Sequence, residues 1–260
     1  MPLNPSGETV IATQWILLSI ATGVILARLY LRLILQRRRL LLSDVFMCAA
    51  WASAVSLAVS DIIFYHIGVL RRGITLNLVG YDGSPEDVER FYKLYYFTNY
   101  PFYTTFYLSK AALLSVYLQI FPDFMVKRRR FIWAIIIYVA MGYVITILVL
   151  SLSCLPTWRN WSLSPERCSI EVIKVEFEIS WALNITGDIL IFILPWLVIP
   201  ELVLRKNLRY SLYATFLLGL INIIFCIVRF AQIEQYGADL VITICLVDLA
   251  LIVHRTLEFY

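Results

Sequence analysis

Seven long apolar stretches, separated by short polar joints, constrain the fold of this chain more than any other feature of its sequence. The hydrocarbon core of a bilayer is about 30 Å thick, so a helix needs about 20 apolar residues to cross it. The stretches lack the period-2 alternation of a β-barrel, and spanning backbone must satisfy its own hydrogen bonds, which favours helices. The predicted spans are Val10–Leu35, Leu41–His66, Tyr95–Phe121, Phe131–Leu152, Phe177–Val203, Tyr210–Ile233 and Asp239–His254.

The composition agrees with a membrane protein. Of the 260 residues, 61% are hydrophobic and 15% are charged, whereas soluble domains are nearer half apolar and a quarter charged. We therefore expect an all-α membrane protein whose partner is the lipid bilayer, built as one seven-transmembrane-helix bundle over residues 1–260. The formal charge of +4 serves to orient helices, so no nucleic-acid partner is expected.

Basic residues are concentrated in three short joints, at positions 36–40, 122–130 and 204–209. These joints hold ten Lys and Arg and one acidic residue, while the longer joints 67–93 and 153–176 hold seven basic and seven acidic residues. The positive-inside rule then predicts the short joints in the cytoplasm, with the N-terminus outside and the C-terminus cytoplasmic. Because no basic region precedes the first span, we expect that span to be an anchor and not a cleaved signal peptide.

The predicted outer joint 153–176 carries two cysteines and a glycosylation sequon. Cys154 and Cys168 share an oxidising face, which predicts a disulfide, whereas the other three cysteines lie inside spans. Asn160-Trp161-Ser162 is an N-glycosylation sequon on the lumenal side, and Asn184-Ile185-Thr186 lies inside a span and should stay unmodified. In the other outer joint, Ser84-Pro85-Glu86-Asp87 predicts the start of a short helix that leads into the third span.

Polar side chains lie inside several predicted spans. A charge at the bilayer centre costs at least about 2.5–3.5 kcal/mol, so such groups face the bundle interior and usually pair. Lys110 lies near the middle of the third span, Asn184 and Asp188 share one face of the fifth, and Asp248 lies in the seventh. Similar depth predicts a buried cluster in which Lys110 pairs with Asp188 or Asp248.

Two further polar positions are expected to find partners. Arg229, near the outer end of the sixth span, is predicted to approach Asp61, Glu178 or Asp239. Asp44 opens the second span, where it is expected to meet Arg37–Arg39 or to cap the helix. For all these groups a structural or switch-like role is favoured over ligand contact, and catalysis is the weakest hypothesis. The aromatic residues of the third span predict an interfacial belt or, alternatively, the wall of an apolar pocket.

Several chemistries find no support in the sequence. It lacks CxxC, HExxH, GxSxG, GxGxxG and Walker A motifs, and its two histidines do not suggest a metal centre. The seventh span has no lysine, so the retinal linkage of microbial and animal rhodopsins is excluded there. We expect no cofactor and no metal.

Several motifs together resemble the fungal rhodopsin-domain family, a group of seven-helix proteins related to fungal CFEM-type receptors. They are the run from Lys110 to Tyr117, Cys154-x-Pro156-x-Trp158 with a later Cys168, Asn184-x-x-x-Asp188 before Leu194-Pro195, Ile227-x-Arg229, and Asp44 at the second span. The chain departs from the family at Asp248, where glutamate is frequent, and no CFEM domain precedes the first span. Members often carry a longer tail, so the short C-terminus is expected to reflect a truncated gene model or signalling without a tail.

The resemblance implies a receptor-like integral membrane protein of the plasma membrane or endomembranes, without enzymatic activity. It would sense an unknown small-molecule or extracellular ligand and engage a cytoplasmic signalling partner through its basic joints. One alternative is a membrane enzyme such as a terpene cyclase, which would need Asp188 or Asp248 as a protonated acid. Lys110 disfavours it, because a nearby ammonium favours the ionised carboxylate. A transporter is the other alternative, although no internal repeat is visible.

Overall fold

A computed structural model describes residues 6–198, apart from residues 36, 38, 72–73, 75–77, 79, 121–125 and 165, together with residues 220, 223, 224 and 227. Within this part the chain is helical and contains no strand. The long helices are α1 (Gly7–Tyr30), α2 (Leu42–Ile67), α3 (Pro85–Ile120), α4 (Val126–Leu152) and α5 (Ile170–Val198). A π-helical segment, Leu31–Leu35, continues α1, and a 3₁₀ turn, Thr157–Asn160, lies before α5.

Four of the described helical segments are long and apolar enough to cross a membrane: Gly7–Leu35, Leu42–Ile67, Arg129–Leu152 and Glu171–Leu194. They coincide with the first, second, fourth and fifth predicted spans. The third predicted span is also helical but forms part of α3, whose polar and tyrosine-rich first half lowers its hydropathy. The sixth and seventh predicted spans lie outside the described residues.

Helix α3 begins earlier than its apolar stretch because its start is well capped. The Ser84 hydroxyl accepts a hydrogen bond from the backbone N–H of Asp87 at 3.2 Å and donates one to the Asp87 carboxylate at 2.7 Å. Pro85 takes the first helical position, where its missing N–H costs nothing. The short helix expected from Pro85 is therefore the first part of α3, which continues through Pro101 to Ile120.

Helix α3 packs against α2, α4 and α5, which makes it the central helix of the described part. One apolar cluster lies among α3, α4 and α5 and contains Tyr107, Leu114, Tyr117, Ile132, Ile135, Val139, Ile191 and Leu194. A second cluster joins the start of α1, the end of α2 and the start of α3, around Val10, Phe64 and Phe91. The first cluster surrounds the part of α3 that carries Lys110, and the second fixes the start of that helix.

The segment between α4 and α5 is closed by the predicted disulfide, Cys154–Cys168, whose Cα atoms are 6.0 Å apart. Inside the loop, the Arg159 side chain donates hydrogen bonds to the carbonyl oxygens of Leu155 and Glu166, at 3.3 Å and 2.6 Å. The side chain of Trp161, also in the loop, packs its ring against the rings of Tyr96 and Phe97 on α3. The loop is therefore fastened to the first half of α3.

Candidate functional site: a buried lysine between α3 and α5

Lys110 is buried as deeply as any charged side chain of the described part, with 1% of its surface exposed, a value that it shares with Asp44. Its ammonium lies 2.9 Å from the Asp188 carboxylate and donates a hydrogen bond to the Asn184 side-chain oxygen at 2.6 Å. Both partners are buried on α5. The paired carboxylate and the amide oxygen offset the cost of removing the ammonium from water, which a lone lysine would bear in full.

The spacing of Asn184 and Asp188 explains how a single helix supplies both partners. Residues four apart lie on the same helical face, and the Asn184 amide also donates to Asp188 at 3.4 Å. Gly187 lies beside them, and a Cβ atom built on it would be 3.4 Å from Cε of Lys110. A methyl group would therefore be in ordinary contact with the lysine stem, whereas a larger side chain at this position would displace it.

Helix α4 joins this cluster through Tyr107. The lysine ammonium is 5.7 Å from the centre of the Tyr107 ring, a distance at which a cation and an aromatic ring attract each other. The Tyr107 hydroxyl forms a 3.1 Å hydrogen bond with Thr146 on α4, and both residues are buried. A movement of Lys110 would therefore change contacts that involve α3, α4 and α5 together.

Two buried hydroxyls lie one turn from the cluster, toward the starts of their helices. Thr105 precedes Lys110 by five residues on α3, and Ser180 precedes Asn184 by four on α5. Both residues have no exposed surface, and their side-chain oxygens have no hydrogen-bond partner within the described part of the chain. Buried polar groups are normally satisfied, so these hydroxyls can accept a polar group from water or from a ligand.

The structure thus brings together three of the five residues predicted for the intramembrane cluster: Lys110, Asn184 and Asp188. The other two, Arg229 and Asp248, lie outside the described residues. Asp61, one predicted partner of Arg229, is buried and accepts a 2.8 Å hydrogen bond from the Gln14 side chain. Glu178, another, lies 3.8 Å from Lys174 in an exposed pair on α5.

Asp44 fulfils one of its two predicted roles. Its carboxylate pairs with Arg28 at 3.2 Å and with Arg32 at 3.0 Å, two arginines that precede the predicted partners Arg37–Arg39. The alternative, capping of the second helix, is correct, since Asp44 accepts the backbone N–H of Leu41 at 3.0 Å. Arg28 on α1 and Arg32 in the π-helical segment reach Asp44 because α1 and α2 pack side by side.

The partners that the sequence analysis missed are Gln14, Arg28 and Arg32. The two arginines could have been recognised from the sequence. They are four residues apart near the end of the first span, and Asp44 lies close by at the start of the second. Gln14 gave only a weak signal, since one amide in an apolar helix does not by itself indicate a partner. Among the described residues, no group of three or more His, Cys, Asp and Glu side chains is placed to hold a metal ion.

The aromatic residues of α3 serve partly as packing and partly as a polar chain. The Tyr96 and Tyr100 hydroxyls are 2.9 Å apart, and Tyr100 is also 3.0 Å from the Ser151 hydroxyl on α4. Tyr103 and Phe106 are buried against neighbouring helices. These rings fill much of the space between α3 and its neighbours toward the disulfide loop.

The described helices and the buried ion pair define a multi-pass α-helical membrane protein whose central helix carries a paired lysine. Residues 27–252 match the model of the fungal rhodopsin domain, and the chain belongs to that family. Comparison with curated proteins and with solved structures gives no match.

Proposed function

We propose that this protein is a seven-transmembrane, receptor-like member of its family, with the N-terminus outside and the C-terminus in the cytoplasm. It senses a small-molecule or extracellular ligand without retinal and without catalysing a reaction. The observation that carries this proposal is the buried Lys110, whose ammonium joins α3 to Asn184 and Asp188 on α5. An ion pair in a medium of low dielectric is strong when formed and costly when broken, so it suits a two-state element.

The ligand acts by changing the partners of this cluster. Thr105 and Ser180 offer hydroxyls that have no partner among the described residues, about one turn from the cluster on the side where α3 and α5 begin. A ligand that brings a polar group to this level competes for Lys110 or Asp188 in one conformation more than in the other. Only such a difference in affinity can shift the populations of two states. The basic joints, which the positive-inside rule assigns to the cytoplasm, then bind the signalling partner.

The same cluster disfavours an enzymatic role. A cyclase that starts by protonating its substrate needs a neutral carboxylic acid in an apolar cavity. Asp188 is buried and pairs with the Lys110 ammonium at 2.9 Å, so its carboxylate is engaged by a cation and is not set in apolar surroundings. Turnover of a prenyl diphosphate by the purified protein would contradict this reasoning.

The orientation can be tested in microsomes, which glycosylate only sequons that reach the lumen. We expect modification of Asn160, a half-buried residue of the disulfide loop, and none of Asn184, which is buried beside Lys110. A second variant carries a new sequon in the segment 127–130 at the start of α4. Modification of that sequon would contradict the proposed orientation.

The switch can be tested by measuring the distance between α3 and α5 with spin labels at Gln119 and Ile193, two exposed positions near the ends of these helices. Serine would first replace the three cysteines outside the disulfide. We expect Lys110→Met to add a second distance population, since the pair that holds one state is gone. Lys174→Met, in the exposed pair of α5, is the control and should leave one population. If the Lys110→Met protein folds and the distance between the labels is unchanged, the role of Lys110 is purely structural.

A further inference from the structure

An apolar groove of about 330 Å³ lies where α2, α3 and α4 meet. Its size and its mostly apolar lining are those of small-molecule sites in proteins. Its walls include Leu42 and Phe46 from α2, Ala111 from α3, and Trp133, Ala140 and Tyr143 from α4. It is separate from the hydroxyls of Thr105 and Ser180, which do not line it.

The groove opens sideways, toward the membrane. Leu42 is 61% exposed and Trp133 is 48% exposed, so this side of the groove is uncovered within the described part of the chain. Both residues belong to segments that are long and apolar enough to span a bilayer. Whatever fills the groove therefore enters from the lipid phase and must be a membrane-soluble molecule.

The lining of the groove favours a flat and rigid occupant. Two lining residues, Ala111 on α3 and Ala140 on α4, are small, and the lining also includes the aromatic rings of Phe46, Tyr143 and Trp133. Along α3 the lining runs from Thr104 to Leu118, which is about 21 Å of helix. One leaflet of the hydrocarbon core is about 15 Å thick, so the groove is long enough for a lipid that extends through a single leaflet.

We propose that this groove is a binding site for a membrane sterol. A fused-ring sterol presents a flat apolar face to the alanines and stacks on the aromatic sides. It also loses little conformational freedom on binding, whereas a flexible acyl chain loses the freedom of every bond that the groove would fix. The rigid molecule is thus the better occupant of a groove that binds mainly by apolar contact.

The polar atoms of the lining fix the orientation of the sterol. The Thr104 and Tyr143 hydroxyls are 3.0 Å apart and satisfy each other, and the Ser115 hydroxyl donates to the Ala111 carbonyl. These parts of the groove therefore suit hydrocarbon. Trp133 lies four residues after Arg129, at the basic end of α4, where an indole N–H sits at the membrane interface. The sterol hydroxyl is placed at Trp133 and its tail near Thr104.

The groove shares one wall with the lysine cluster. Tyr107 lines it, and the same ring lies 5.7 Å from the Lys110 ammonium. A bound sterol would press on this ring and restrict its movement. The sterol site itself does not depend on the proposed receptor role, because it rests on the shape and lining of the groove alone.

The test is saturation binding of tritiated cholesterol to the full chain in phosphatidylcholine nanodiscs. We expect saturable binding that Ala140→Phe weakens by at least about tenfold, because the new ring fills the groove. Ala134→Phe is the matched control: Ala134 is exposed on α4 but does not line the groove, and its variant should bind like the unaltered protein. Circular dichroism and size-exclusion chromatography establish that each variant is folded.

Two results would overturn the proposal: no saturable binding by the unaltered protein, or equal binding by Ala140→Phe and Ala134→Phe. If Ala140→Phe does not fold, Ala111→Phe replaces it on the α3 side of the groove. Competition supplies an answer that needs no variant. Unlabelled cholesterol should displace the probe, and oleic acid should not. Displacement by oleic acid at equal concentration would identify the groove as an acyl-chain site.

Discussion

Gly187 lies against the side chain of Lys110, and a methyl group placed on Gly187 would be 3.4 Å from the lysine Cε and 3.8 Å from Cγ2 of Val139. These are ordinary van der Waals distances, so one carbon fits between α3, α4 and α5, and a larger side chain does not. The position therefore reports on how tightly the three helices enclose the lysine.

Substitution of Gly187 should depend steeply on size. Gly187→Ala should be neutral or stabilising by about 0.5–1 kcal/mol, since alanine favours the helix interior. Gly187→Leu should destabilise by about 1–3 kcal/mol because it displaces the lysine stem. Thermal unfolding in detergent measures both. Equal destabilisation by the two variants would mean that even a methyl group does not fit.

The Lys110–Asp188 pair should show strong coupling in a double-mutant cycle. Lys110→Met leaves a buried carboxylate without its cation and should cost about 3–5 kcal/mol. Asp188→Asn should cost less, since asparagine remains polar, and the double variant should recover part of the loss. Thermal unfolding is again the measurement.

The control for that cycle is the Lys174–Glu178 pair on the same helix, whose side chains are 52% and 44% exposed. Its coupling should not exceed about 0.5 kcal/mol, because water screens it. Strict additivity at Lys110 and Asp188 would show that they are not coupled, and the cycle should then be repeated with Asp248.

Asp44 should matter much more than the arginines that follow α1. Asp44→Ala removes the partner of Arg28 and Arg32 and the cap of α2, and we expect a loss of about 2 kcal/mol after allowing for the partial exposure of both arginines. Arg39→Ala should change stability by less than about 0.5 kcal/mol. A larger effect of Arg39 would restore the original sequence-based pairing.

Asp61 provides a test of whether hydrogen bonding or charge is important near the C-terminal end of α2. Asp61→Asn keeps an oxygen that can accept from Gln14, so it should have little effect. Asp61→Leu leaves the Gln14 amide buried and unpaired, which costs about 1–3 kcal/mol. If both variants are equally destabilised in a melting experiment, the negative charge is required, and the predicted pairing with Arg229 gains support.

The disulfide should contribute measurably to stability. Cys154→Ser should lower the free energy of unfolding by about 2–4 kcal/mol, because the open loop gains freedom in the unfolded chain. Cys48→Ser is the matched control at a half-buried, unpaired cysteine and should have a much smaller effect. Mass spectrometry of unreduced peptides verifies the link, and an equal loss of stability in both variants would contradict a special role for Cys154.

The sequence predicted Lys110 and its α5 partners because two simple rules apply inside a membrane. Helical periodicity places Asn184 and Asp188 on one face, and the cost of burying charge requires that groups at equal depth meet. The disulfide followed from topology in the same way. These features depend on how deep a residue lies in the membrane and on which side of its helix it lies, and both can be read from the sequence.

The sequence did not predict the partners of Asp44 or Asp61, because these depend on which helices are neighbours. Arg37–Arg39 are closer to Asp44 along the chain than Arg28 and Arg32, but α1 and α2 pack side by side and bring the more distant residues into contact. The helix start at Pro85 was predicted, but as a separate short helix and not as the first part of a continuous α3. The first ten residues of α3 are too polar to resemble part of a membrane span, and their helix depends on the cap at Ser84.

Helix α3 is unbroken over 36 residues, which corresponds to a rod of about 54 Å. Trp161 attaches the disulfide loop to one end of this rod, and Lys110 lies further along it. Pro101 lies between these two points, so a displacement of the loop would reach the lysine through a helical turn that lacks one backbone hydrogen bond. A reagent bound to the loop would thus act on a buried ion pair that it never touches.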